Sequence, residues 1–351
     1  MRRETKSFLI RDCGMGSKYP VTIQSMTNTD SHDAVATLAQ VEQLAALGAK
    51  IVRVAVPDMD AVKSVAEVAK KSSVPIVADV HFDHKIAIAC LEQGVDAVRI
   101  NPGNIGGLDK LLAVIEKAKE KDAAIRIGVN SGSIEKEFLE EFGHPCPEAM
   151  VKSLEKYVSF CEAHGFTKLV LSVKSSDVSM MIRVNEMVAE RFPYPLHLGV
   201  TEAGTVRSGT IKSSVGIGAL LAEGIGDTIR VSLTGDPANE IPVAAGILKS
   251  LGLMEAGVDV VSCPTCGRTQ IDLAHLAEEV EALCQPITKP LKIAVMGCVV
   301  NGPGEAREAD LGIAGGKGAG IIFRKGEVVK SCKEDELLPA FKEELAKLLS
   351  E

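Results

Sequence analysis

The sequence predicts a (β/α)8 TIM-type barrel followed by a smaller α+β domain, and three observations carry that prediction. Short β-branched runs alternate with helical segments through the first 250 residues, and eight such units in about 230 residues is the size of a closed barrel. Aromatic residues are only 3% of the chain, with no Trp, while 46% is hydrophobic. A core built from Val, Ile, Leu and Ala suits a parallel sheet covered by helices. Finally, the alternation stops after Leu251. An open doubly wound sheet would share the alternation, and the count of eight is what favours closure.

The strand candidates are Val21 to Met26, Ile51 to Val56, Ile76 to His81, Ala97 to Asn101, Ala124 to Asn130, Leu169 to Lys174, Leu196 to Thr201 and Thr228 to Leu233. Between them, Asp33 to Leu47, Met59 to Lys71, Leu108 to Lys121 and Ala149 to His164 carry apolar residues at helical spacing. Gly48 closes the first of these, and Gly94 closes a further helical segment between the third and fourth strand candidates. Beyond the barrel the expected elements are a strand at Val258 to Val261, a helix at Ile271 to Cys284 and a strand at Lys292 to Met296. The Gly-rich segment Gly312 to Gly320 reads as a turn, because it lacks the spacing and the Ser or Thr of a P-loop. Strands Ile321 to Phe323 and Val328 to Val329 and a helix at Glu334 to Leu349 complete the chain. The expected domains are residues 1–254 and 255–351.

A net charge of -8 argues against a broad basic face for nucleic acid or an anionic membrane, so any anion site must be a local cluster. No apolar run reaches the roughly 18 to 20 residues of a membrane span, and no secretion leader follows Met1, so a cytoplasmic protein is expected. Nine cysteines in such a chain are expected to be thiols, metal ligands or catalytic groups, not disulfides.

Two constellations carry chemistry. The tripeptides Val52-Arg53-Val54, Val98-Arg99-Ile100, Ile125-Arg126-Ile127 and Ile229-Arg230-Val231 each place Arg in an apolar strand. Uncompensated, each such burial costs several kcal/mol. If they converge at the carboxyl ends of their strands with Lys174, they form a site for a ligand with several negative charges, a diphosphate being the natural size. Pairing with Asp79, Asp96 or Glu202 is the structural alternative, but these acids are too few for five cations. Asn130, Thr201 and Ser232 stand at the same strand ends, and Glu202 is a carboxylate placed to donate a proton or orient an Arg. His81 and His84 form an H-x-x-H that reads as a loop or cap feature.

In the second constellation, Cys263-Pro264-Thr265-Cys266 puts two sulfurs on one turn and Cys298 lies after the next strand, with Glu305 on a Gly-Pro-Gly turn beyond it. Three thiolates and one oxygen suit a [4Fe-4S] cluster with one open iron. A zinc site, or ordinary thiols, would use the same C-x-x-C spacing.

The segments Ser262-Cys263-Pro264-Thr265-Cys266-Gly267-Arg268 and Gly297-Cys298-Val299-Val300-Asn301-Gly302-Pro303-Gly304-Glu305, with the strand arginines, resemble the 4-hydroxy-3-methylbut-2-enyl diphosphate synthase family of the non-mevalonate isoprenoid pathway, in its bacterial two-domain form. The resemblance covers essentially the whole chain. It implies a cyclic diphosphate substrate, 2-C-methyl-D-erythritol 2,4-cyclodiphosphate, opened reductively with loss of water by two electrons from flavodoxin or ferredoxin. It also implies a [4Fe-4S] cluster held by Cys263, Cys266, Cys298 and Glu305, the last giving way to a substrate oxygen. Glu202 then becomes the candidate proton source, and a homodimer is implied in which the cluster domain of one subunit caps the barrel of the other.

Overall fold

A small antiparallel hairpin, β1 (Phe8–Ile10) and β2 (Cys13–Met15), precedes the barrel and was not apparent from the sequence pattern. Its Ile10 and Met15 pack on Ile51, Val77, Ala97, Ala124 and Val170, residues at or near the amino-terminal ends of five barrel strands. The hairpin therefore closes the lower end of the barrel with apolar side chains. Truncating Ile10 or Met15 at such a position costs about 2–5 kcal/mol.

The computed structural model describes residues 2–101, 103–255, 257–298 and 306–351, and the chain falls into two compact units, Met1–Met254 and Glu255–Glu351. In the first, eight parallel strands follow one another around the sheet: β3 (Thr22–Met26), β4 (Ile51–Ala55), β5 (Ile76–Val80), β6 (Ala97–Ile100), β7 (Ala124–Asn130), β8 (Leu169–Lys174), β9 (His197–Leu198) and β10 (Thr228–Ile229). The parallel pairing of β10 with β3 and a bridge from Leu171 to Leu196 close the ring. The last two strands have only two residues each, much shorter than the expected Leu196 to Thr201 and Thr228 to Leu233. Their continuations leave the ladder: Thr201 N–H still reaches the Ser175 carbonyl at 3.2 Å, and Leu233 N–H turns to a side chain, the Glu240 carboxylate.

Helices cover the outside, and their starts explain their placement. Asp33, Asp58, Asp83 and Asp177 each follow a barrel strand and accept backbone N–H bonds from the first turns of α1 (Ala34–Leu47), α2 (Met59–Lys71), α3 (His84–Glu92) and the helix Val178–Arg191. Gly48 ends α1 at φ 118°, a conformation glycine adopts without a Cβ penalty. The apolar strand residues that point outward meet these helices in one continuous core, including Val52, Val54, Ile76, Ile100 and Ile125.

The second unit is a five-stranded sheet, β11 (Val258–Ser262), β12 (Leu291–Met296), β13 (Leu311–Gly316), β14 (Ala319–Arg324) and β15 (Glu327–Lys333), in that spatial order. The first three are parallel and the last two antiparallel. One face, with Ile293, Val295, Ile313 and Ile322, packs on the helices Leu273–Cys284 and Leu337–Ser350. The Gly-rich segment expected as a turn is two strands with only a tight turn between them. Its glycines make room for neighbours: a Cβ on Gly312 would lie 2.2 Å from the Phe323 ring, and one on Gly315 would lie 2.3 Å from Ile271. Among the described residues, no helix is long and apolar enough to cross a membrane.

Candidate functional site

The two-residue period of a strand decides which side chains enter the barrel. Ile51, Val77, Ala97, Ala124 and Val170 form the floor, and two residues further along each strand come Arg53, Asp79, Arg99, Arg126 and Ser172. Asp79 is in register with Arg99, and Arg99 with Arg126, so three charged residues stand side by side on β5, β6 and β7. Further along, Asn130 is in register with Lys174. The structure thus brings the expected cations together toward the carboxyl ends of the strands, with Arg53, Arg99, Arg126 and Lys174 all buried and Arg230 half-buried.

Two carboxylates organise the ring. Asp79 accepts from Arg99 Nη1 at 3.2 Å and pairs with Arg53 Nε at 3.5 Å. Burial would raise its pKa, but Arg53, His81, Arg99 and Arg126 outweigh this and hold the carboxyl well below the usual range. Glu240, the first residue of helix Glu240–Ser250, grips Arg230 through Nε at 3.2 Å and Nη2 at 3.1 Å. It also accepts from Ser25 Oγ and Leu233 N–H. The acids expected from the sequence, Asp79, Asp96 and Glu202, lie on or beside strands, and Glu240 was not among them. The signal was there, an acid seven residues after Leu233 at the start of the helix following the eighth strand. Of the other candidates, Asp96 caps the Ile76 N–H at 2.8 Å below the ring, and Glu202 forms no ion pair among the described residues.

Met26 is a second unforeseen member. Its thioether sulfur receives Arg53 Nη2 at 2.9 Å and Arg230 Nη1 at 3.4 Å, a soft acceptor between two guanidinium groups. Arg53 is pushed down to about 10 by burial, only partly offset by Asp79.

Arg126 and Lys174 differ from the rest in having no acidic partner within ion-pair distance among the described residues. Arg126 donates to the neutral Gln24 Oε1 at 2.6 Å. Burial, then the neighbouring arginines, push both groups well below their ordinary pKa values. Beneath them lies His197, fully buried, with neither ring nitrogen hydrogen-bonded among the described residues. Burial and the cations above keep it neutral.

The remaining candidates stand at the rim. Asn130 is half-buried at the end of β7, Thr201 and Ser232 are half-buried three residues beyond β9 and β10, and Glu202 is exposed with φ 52°, a left-handed conformation unusual for a non-glycine residue. His81 lies near the Arg99 guanidinium, at 3.2 Å, and at 3.4 Å from Asp79, so it belongs to the ring's edge and is no simple loop residue.

In the second unit, the Cys263 and Cys266 turn follows β11 and Cys298 follows the adjacent parallel strand β12. Gly297 N–H donates to Cys263 Sγ at 3.2 Å, and Gln270 N–H reaches the Gly297 carbonyl at 3.3 Å, which ties the two turns together. The exposed Cys266 thiol is lowered by hydrogen bonds from the backbone and side chain of Arg268. Soft sulfur donors on neighbouring turns, one already receiving an N–H and another favoured as thiolate, have the chemistry an iron-sulfur cluster takes, while among the described residues no three Cys, His, Asp or Glu side chains stand together as a metal site. The expected fourth ligand, Glu305, lies outside the described residues.

Two family models match the chain: the GcpE TIM-barrel domain over residues 5–245 and the GcpE protein C-terminal domain over residues 259–347. The chain is 53% identical over 348 residues to the 4-hydroxy-3-methylbut-2-en-1-yl diphosphate synthase (flavodoxin) of Clostridium perfringens, covering 99% of each. It is also 53% identical over 351 residues to the enzyme of that name from Maridesulfovibrio salexigens, covering 100% of this chain and 98% of the relative. Among solved structures, an N-acetylneuraminic acid synthetase from Leptospira borgpetersenii serovar Hardjo-bovis superposes with a TM-score of 0.52 at 12% identity, over 80% of this chain and 98% of that one. At that identity the likeness concerns the fold alone.

Proposed function

The chain belongs to the GcpE family, and from that premise we propose that it opens 2-C-methyl-D-erythritol 2,4-cyclodiphosphate reductively, with loss of water, to 4-hydroxy-3-methylbut-2-enyl diphosphate. The observation that carries this reading is the excess of buried positive charge in the barrel, where five cations converge on two carboxylates. An acidic protein that gathers such a ring binds a small, highly charged anion.

Arg53, Arg99, Arg126, Lys174 and Arg230 hold the diphosphate, with Asn130, Thr201 and Ser232 as hydrogen-bonding partners at the rim. The donors are fixed before the ligand arrives, because Asp79 and Glu240 anchor three of the arginines. Charge developing on a departing phosphate oxygen therefore meets oriented N–H groups without reorganisation. Glu202 donates the proton that turns the departing hydroxyl into water. Cys263, Cys266 and Cys298, with Glu305, would hold a [4Fe-4S] cluster. When bound, that cluster supplies the two electrons drawn from reduced flavodoxin, the donor in the relatives' name, or ferredoxin. The reading includes a cytoplasmic homodimer.

Anaerobic turnover of the cyclic diphosphate with a chemical reductant tests it, comparing the parent protein with Glu305→Ala and Cys298→Ser. A brown protein with iron and sulfide that forms the open-chain product is the expected result. A colourless protein with one bound zinc and no turnover would sink the proposal.

A further inference from the structure

We propose that Arg126 and Lys174 are specificity-determining residues that make the barrel complementary to an open-chain diphosphate with three negative charges, in preference to a cyclic diphosphate with two. The inference rests on the functional reading above and adds to it which charge state the pocket is built for.

Within the ring, Arg53, Arg99, Arg126, Lys174 and Arg230 face Asp79 and Glu240, an excess of three positive charges. His197 stays neutral and Glu202 stands exposed at the rim without an ion pair among the described residues. The excess is not spread evenly. Glu240 neutralises Arg230, and Asp79 is shared by Arg53 and Arg99, so one charge remains on that pair and two on Arg126 and Lys174.

The ligand changes charge during the reaction. In the cyclic diphosphate each phosphorus carries one ionised oxygen, two charges in all. Breaking the ring carbon-oxygen bond, with its electron pair leaving on oxygen, creates a terminal phosphate and a third charge. Two electrons from the reduced flavodoxin-class donor and one proton, which leaves with the hydroxyl as water, balance the conversion of the dianion into the trianion. Only the open form matches the pocket's excess.

Geometry favours Arg126 and Lys174, which have no acidic partner among the described residues, as the place where the third charge is held. Both are buried, at 5% and 8% exposure, and a cation without an acid partner gives up no existing ion pair when an anion arrives. Gln24 orients the Arg126 fork without neutralising it. Lys174 lies against Gly199, where a Cβ would stand 3.1 Å from Nζ, so the backbone itself leaves room for the ammonium. Burial first, and then the four neighbouring arginines, hold the Lys174 ammonium below its ordinary pKa, and an anion brought beside it offsets the second effect.

The test is calorimetric binding, under anaerobic conditions without reductant, of two ligands to the cluster-loaded protein: the cyclic diphosphate and methyl diphosphate, an open-chain trianion lacking any hydroxyl. Lys174→Met is expected to weaken methyl diphosphate by about tenfold or more and the cyclic ligand by about threefold or less. In the parent, methyl diphosphate affinity should also rise as its terminal phosphate loses its last proton near about pH 6, and that rise should flatten in the variant. Arg126→Gln, which keeps a polar group beside Gln24, is the second variant should Lys174→Met fail to fold. Equal weakening of both ligands, or an unchanged pH profile, overturns the inference and leaves the function standing. If neither ligand binds the parent protein, the functional reading falls and this inference with it.

Discussion

Glu240 holds Arg230 in a two-pronged contact, Nε to Oε2 at 3.2 Å and Nη2 to Oε1 at 3.1 Å, while also accepting the Leu233 N–H at 3.2 Å. One buried carboxylate thus fixes an arginine of the ring and the backbone that follows it, through Ser232. The two shortest barrel strands need such an anchor, because β10 has only two ladder residues to hold Arg230 in place. Glu240→Gln keeps the shape and removes the charge. It should destabilise the ligand-free protein by about 2–3 kcal/mol in urea unfolding, because the half-buried Arg230 guanidinium loses its charged partner. A variant as stable as the parent would show that the contact does not anchor the loop.

Lys174→Met should do the opposite to stability. Lys174 is buried among four guanidinium groups and has no acidic partner among the described residues, so its charge costs both desolvation and repulsion. An apolar side chain of similar length removes both. The ligand-free variant should gain about 1–2 kcal/mol, read as a higher unfolding midpoint, while turnover of the cyclic diphosphate falls. A loss of stability would mean that an unrecognised anionic group already balances the ammonium.

The acid limb of the stability profile should have two separable parts. Asp79 is held below its unfolded-state pKa by Arg53, His81, Arg99 and Arg126 against the cost of burial. Its contribution is therefore complete above about pH 4 and is lost as pH falls further. His197 is lowered by burial first and then by Arg126 and Lys174. The unfolded chain takes up a proton there below about pH 6.5 while the folded chain does not, so stability falls with pH from that point. His197→Leu should flatten the slope between about pH 6.5 and 5 and leave the steeper loss below pH 4, measured as urea midpoints against pH. An unchanged slope in the upper window would show that His197 is protonated in the folded protein.

Much of this was legible in the sequence because period and spacing report directly on geometry. An arginine flanked by Val and Ile in four strands can only face the barrel interior or violate burial, and the strands β7 and β8 run over the segments their β-branched residues mark. The partners were less legible. Glu240 starts a helix, Met26 offers sulfur where a carboxylate was sought, and neither type of contact leaves a local pattern. The hairpin of β1 and β2 is too short for any period to register. Gly312, Gly315 and Gly320 look like turn residues in isolation, and only the Phe323, Ile271 and Leu337 side chains lying over them explain why strands need glycine there.

Gly128 poses the same question inside the ring. It follows Ile127 on β7 and faces the barrel, and a Cβ on it would stand 2.8 Å from Arg99 Nε and 3.1 Å from Nη2. No side chain fits unless the guanidinium moves, and moving it loosens the 3.2 Å bond from Arg99 Nη1 to Asp79. Gly128→Ala should therefore keep the fold, at a cost of about 1–3 kcal/mol from overpacking, keep its iron and sulfide, and bind the diphosphate about tenfold more weakly. Since the methyl group acts through Arg99, the two positions must couple. In an Arg99→Ala background, Gly128→Ala should cost no further affinity, because the space it fills has been emptied. If the two losses simply multiply, Gly128 acts on the ligand by another route, and the close approach to Arg99 is incidental to binding.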